Sequence, residues 1–278
     1  MASTIWEHVL THDLAVPTDR PLAELTTELT TMLGSTDPVQ RDTTAYQVLA
    51  TWIERGVYDD LLVGLGDGMA AGLDVGIGES GTDTVFRRSF SALVLAECLD
   101  RGNNIGLSSS KVLEWGDRIA SWYVREQDLR GFVEGKGWAH AAAHGADAIG
   151  ILAGSPHFTS NELTVLLDVL ADRLLLPNAE LLVCGEPDRM AEATAIVLRR
   201  NLVPIGVLEA WIARLANAAT ASGGEGNPFL TTFNAQSFLR ALYLKIAFST
   251  PAPELRADLL LVLIDRLRES NPHHLGDG

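Results

Sequence analysis

Apolar residues recur every three or four positions along most of this chain, which is the signature of amphipathic helices. Leu22, Leu25, Leu29 and Leu33 form the first clear stripe, closed by Gly34. Asp37 and Pro38 then give an N-cap and a proline at the first helical position. The next stripe passes through Tyr46, Leu49, Trp52 and Ile53 and stops at Gly56. Two helices with a short link make a hairpin. The same arrangement returns as residues 58–76 with 82–99, 108–126 with 138–153, 159–176 with 188–200, and 204–221 with 233–248. Residues 253–269 form a last, unpaired helix. Phe158-Thr159-Ser160-Asn161-Glu162-Leu163 combines a capping box with a hydrophobic staple, a strong start signal.

The second helices begin near residues 40, 86, 138, 188 and 236, a period of about 46 to 52 residues. Runs of alternating β-branched residues are too few to build a sheet. The pattern predicts an all-α fold: a right-handed α-α superhelix, a HEAT/armadillo-like solenoid of about five helix pairs. A closed α/α toroid has the same local pattern. One domain is expected over residues 1–278, ordered from about 5 to 270, with residues 271–278 a flexible tail. The loops at residues 76–81 and 222–227 are flexible by composition. The first reads G-x-G-x-x-G, but it follows a helix and no Lys-Ser/Thr follows it, so it is a poor phosphate loop.

Composition narrows the classes of function. The chain has 278 residues and a formal net charge of −15, which disfavours a nucleic-acid surface. Its two cysteines, Cys98 and Cys184, form no CxxC and no disulfide framework. The first residues lack a basic segment followed by an apolar one, and the longest strongly apolar run, residues 259–264, is short of a bilayer span. A cytoplasmic protein without membrane or nucleic-acid partners is expected.

The chemistry concentrates in residues 137–147, where His140, His144 and Asp147 stand at i, i+4 and i+7. On a helix they fall within an arc of roughly 60°. Trp138, Ala142, Gly145, Ile149 and Leu152 form the opposite, apolar stripe, so the trio is expected to face away from the local core. Two imidazoles and a carboxylate suit zinc or another divalent metal, with Glu192 or His157 as a further ligand. They also suit proton transfer, with His144 and Asp147 as a dyad. A purely structural polar network between repeats is the third possibility. Lys136, Arg88, Arg189, Glu192, Asn234 and Arg240 lie on or beside predicted second helices and complete a candidate ligand-binding set. Arg41-Asp42 reads as the structural Asp/Arg ladder of helical repeats.

The stretch from Leu129-Arg130-Gly131-Phe132-Val133 through Lys136-Gly137-Trp138, with His140, His144 and Asp147, resembles the signature of a family of uncharacterised bacterial proteins labelled as a domain of unknown function. The resemblance implies an all-helical bacterial protein with a privileged His/His/Asp segment, and no activity. The expected function is binding of a small molecule or peptide segment in a concave groove centred on that trio. A metal-dependent or His/Asp-assisted hydrolase and a protein–protein scaffold are the alternatives.

Overall fold

A computed structural model describes residues 5–176, 180–220, 227–271 and 275. The expected disorder at residues 1–4, most of the expected flexible tail, and five of the six residues of the 222–227 loop lie outside the described residues. The fold is all-α apart from one short hairpin. The chain divides into two compact units, residues 1–148 and 149–278.

The first unit opens with α1 (Ile5–Thr11) and α2 (Leu22–Met32). A wide, π-helical stretch at Val39–Tyr46 runs directly into α3 (Gln47–Glu54). Its start is capped as the sequence predicts, with Val39 N donating to Asp37 Oδ1 at 2.9 Å. After a single 3-10 turn come α4 (Leu62–Gly72), α5 (Thr84–Ile105) and α6 (Ser109–Arg125). α5 outruns its predicted end by several residues and stops where Gly106 takes φ +83°, a conformation that costs glycine little. α3 and α4 both pack on α5, and α4 also packs on α6. Leu25, Leu29, Trp52, Trp115, Ile119 and Trp122 are fully or almost fully buried and form the middle of this unit's core.

The hairpin follows as β1 (Phe132–Val133) and β2 (Gly137–Trp138), pairing Phe132 with Trp138 and Val133 with Gly137. The sequence predicts a helix beginning at Trp138. Instead, Gly135 and Gly137 take φ +73° and +78°, and Lys136 N donates to Val133 O at 3.0 Å, closing a tight turn. An edge-to-face contact between Phe132 and Trp138, ring centres 5.0 Å apart, adds a cross-strand aromatic pair. α7 (Ala141–Gly154) therefore starts three residues later than expected.

The second unit holds α8 (Ser160–Leu175), α9 (Glu186–Arg199), α10 (Ile205–Ala219), α11 (Pro228–Phe248) and α12 (Arg256–Ser270). The predicted capping box opens α8: Thr159 N donates to Glu162 Oε2 at 2.9 Å, and the Thr159 hydroxyl donates to the same carboxylate. α8 packs on α9 and α10, α9 on α11, and α12 on both α10 and α11. Leu163, Leu167, Met190, Leu215, Phe238 and Leu263 fill the space between them. Among the described residues, no helix is long and apolar enough to cross a membrane.

Candidate functional site

His140 occupies the junction between β2 and α7. Its N–H donates to the carbonyls of Arg130 and Gly131 at 3.1 and 3.3 Å, and its own carbonyl accepts the first helical bond, from His144 N at 2.9 Å. Its φ is +50°, a left-handed conformation uncommon for a residue with a Cβ and shared in this chain by Asp13, Leu14 and Asn201. One ring face lies against Trp138, with centres 4.2 Å apart and planes 28° apart. Trp138 itself is 42% exposed and Phe132 56% exposed, so the hairpin presents an aromatic ledge ending on an imidazole.

His144, one turn into α7, is buried at 8% exposure. The expectation that it faces away from the core does not hold. Residues 141–148 of α7 are buried throughout except for half-buried Asp147. Small side chains permit this enclosure. A Cβ at Gly145 would stand 2.2 Å from Tyr123 Cδ2, and the Tyr123 hydroxyl donates to Ala142 O at 2.8 Å. The His144 Nδ1 lies 2.7 Å from Ser89 Oγ. The Ser89 hydroxyl donates its one proton to the Ala139 carbonyl. Nδ1–H is therefore the donor to Ser89 Oγ, and in the neutral ring the lone pair sits on Nε2. The same proton assignment makes Ser89 a poor nucleophile, since its hydroxyl is directed at a carbonyl and not at a base.

The rings of His140 and His144 meet edge to face, centres 5.8 Å apart and planes at 85°. Phe90 packs against His144 at 5.0 Å, and Tyr46 packs against Phe90 at 6.2 Å. Behind them lies Arg41, fully buried, with its guanidinium 4.2 Å from the Phe86 ring centre and 5.0 Å from that of Phe90. It donates to Ser35 O at 2.8 Å and to Lys136 O at 2.9 Å, and its Nε lies 2.7 Å from Asp42 Oδ1. Arg41 thus ties the π-helical stretch to the hairpin turn.

Other predicted site residues are placed elsewhere. Arg88 is fully buried. It grips Glu126 through Nε at 2.6 Å and Nη2 at 2.8 Å, and donates to Val75 O, Gly76 O and Thr84 Oγ1. Asp128 accepts from Gly81 N at 2.9 Å and from Arg130, whose Nη2 also reaches Thr82 O at 2.7 Å. The glycine-rich loop at 76–81 is strapped down by this network, and the Gly81 amide that a phosphate would need is given to a carboxylate. Lys136 points to Asp83, 2.6 Å away on the surface. Among the described residues, ligand atoms of His140, His144 and Asp147 do not all fall within 4.8 Å of one another.

Arg189, Glu192, Asn234 and Arg240 belong to the second unit. Arg189 is exposed near the start of α9. Asn234 accepts from Leu182 N at 2.9 Å, and Arg240 donates to Asn271 at 3.0 Å. Glu192 bridges Arg199 at 2.8 Å and Lys245 at 2.9 Å along a groove of about 570 Å³ that Leu244 and Phe248 also line. Burial works against its charge, but the bonds from Lys245 and Arg199 outweigh it and hold the carboxyl below its usual range.

Ser89, Phe90 and Phe132 surround the two histidines but are not among the candidate site residues that the sequence offers. Ser89 and Phe90 carry no local signal, because a single serine inside an apolar helix becomes a partner only when another helix brings an imidazole to it. Phe132 did carry one: a second aromatic six residues before Trp138 across two glycines is a hairpin pattern.

No curated protein and no solved structure matches the chain. Residues 73–244 match a family described as Protein of unknown function (DUF2785), a span that includes the hairpin, both histidines and Ser89. With well over half of its length matched, the chain belongs to the DUF2785 family.

Proposed function

We propose that this chain binds a small ligand on the ledge formed by Phe132, Trp138 and His140, with His144 behind it. The carrying observation is Trp138, 42% exposed yet stacked on an imidazole whose backbone is held at φ +50°. A large exposed aromatic side chain fixed beside a polar ring serves stacking recognition better than it serves the core. The ligand class is a planar or ring-shaped molecule that lies on the indole and offers the imidazole a polar atom. A peptide segment with an aromatic side chain meets the same description. Catalysis is the second reading, favoured by the Ser89 contact that places the His144 lone pair on Nε2, where it would act as a base toward water.

The wider reading is of a cytoplasmic helical-repeat protein whose partners are neither nucleic acid nor membrane. Its support is the net charge of −15 and the way helices pack within each unit. α4 on α6, α8 on α10, and α10 on α12 are first helices on first helices, and α3 on α5 and α9 on α11 are second on second. Such contacts between successive helix pairs support the reading of a HEAT-like helical repeat.

Thermal-shift and tryptophan-fluorescence titrations with adenosine, nicotinamide and indole test the ledge. One of these compounds is expected to raise the melting temperature of the wild type and to quench its emission, and both responses vanish in Trp138→Ala. Equal responses in the two proteins, or none in either, would remove the reading.

A further inference from the structure

Building on the reading of this ledge as a ligand site, we infer that His140 and His144 together hold a divalent transition-metal ion of the zinc type. Three observations converge. First, the two ring centres are 5.8 Å apart with planes at 85°. With metal–nitrogen bonds of about 2.0–2.1 Å, two imidazoles on one tetrahedral ion have ring centres roughly 5–6 Å apart. Second, His144 has the outer support that ligating histidines use. Its Nδ1–H is taken by Ser89, which is itself anchored on the Ala139 carbonyl, and this fixes the tautomer with the donor lone pair on Nε2. Third, His140 is held in a demanding backbone conformation by two carbonyls of the preceding strand approach, and its ring is steadied by Trp138.

Imidazole nitrogens select borderline ions such as zinc, cobalt, nickel and copper over magnesium and calcium, which prefer oxygen. A chain of net charge −15 also concentrates cations around itself. The two imidazoles supply two positions of the ion, and the ledge ligand reaches it from the Trp138 side. The ion would polarise a carbonyl or hydroxyl of that ligand, giving the aromatic ledge its polar anchor.

A second imidazole pair must be kept out of the test. His8 and His12 stack at 3.8 Å on the surface and can capture zinc without any built site. The full-length chain carrying His8→Gln and His12→Gln is therefore stripped with EDTA, dialysed and titrated with zinc chloride by calorimetry. Cobalt chloride serves as the visible-absorption probe and magnesium chloride as the control. Stoichiometric zinc and cobalt binding is expected, with none for magnesium. His144→Ala and His140→Asn, the latter chosen because asparagine tolerates positive φ, abolish it. Ser89→Ala weakens it by about 10- to 100-fold. If His144→Ala does not fold, His140→Asn and Ser89→Ala still decide the matter. Absence of zinc binding, or binding unchanged in His140→Asn and Ser89→Ala, overturns the inference. If zinc does not bind while the aromatic compounds still act through Trp138, the metal fails and the ledge survives. Loss of both responses removes both.

Discussion

Glu97 is half-buried on α5, where its carboxylate accepts from the Tyr46 hydroxyl at 2.9 Å. Burial pushes its carboxyl above the usual glutamate range. The Tyr46 bond opposes this, and the charges of Asp100 and Glu54 add to it. A carboxyl raised in the folded state favours folding while protonated and loses that contribution as pH rises through the raised value. Glu97→Gln keeps an acceptor for Tyr46 and removes the charge. It is expected to raise the melting temperature at pH 8, with the gain fading toward pH 4; equal gains at both pH values would contradict this. Two glycines give a second, opposite pair of expectations. Gly145→Ala drives a methyl into Tyr123 and costs about 1–3 kcal/mol or more by urea denaturation. Gly68→Ala, on the exposed side of α4 with nothing within 4 Å of its Cβ, gains about 0.5–1 kcal/mol in the same assay.

At the level of elements, the segment between α6 and β1 is held by a buried ionic network as well as by the packing of Leu129. Glu126 takes two bonds from Arg88, one from Trp122 Nε1 at 3.0 Å and one from Asp128 N at 2.9 Å. Removing its carboxylate leaves Arg88 charged and buried. Glu126→Ala is expected to cost about 3–5 kcal/mol in urea unfolding. Lys136→Ala, which breaks an exposed pair with Asp83, is expected to change stability by less than about 1 kcal/mol. Similar costs for the two variants would show that the buried network is not what holds the segment. The helices themselves were legible from the sequence, because apolar period, caps and terminal glycines are local signals, as Asp37, Gly56 and Thr159 show. The hairpin was fainter, since two-residue strands leave no periodicity to read and only the two aromatics flanking Gly135 and Gly137 signal it. Without it, His140 was placed inside a helix and the three polar residues on one outward face. The burial of His144 depended on Ser89 and Phe90 arriving from α5, which no spacing within α7 encodes.

For the whole molecule, each of the two units carries its own core, with Trp52, Trp115 and Trp122 in the first and Phe238 and Leu263 in the second. Over both is spread a net charge of −15. Self-repulsion of that size works against the compact state and is screened once the Debye length falls from about 30 Å at 0.01 M salt to about 8 Å at 0.15 M. The melting temperature is accordingly expected to rise over that range of sodium chloride. A fall would mean that surface pairs such as Arg118–Asp74 and Arg214–Asp172 outweigh the net charge.

The positive φ of His140 has a bearing on how this chain tolerates change. At that backbone position glycine is the comfortable residue, and a side chain there costs about 1–3 kcal/mol that the surrounding contacts must offset. The imidazole therefore adds little net stability where it stands, its contacts with Trp138 and His144 going to offset the backbone cost. His140→Gly should melt no lower than the wild type while losing whatever the ledge binds. Selection for stability and selection for use pull in opposite directions at this one residue.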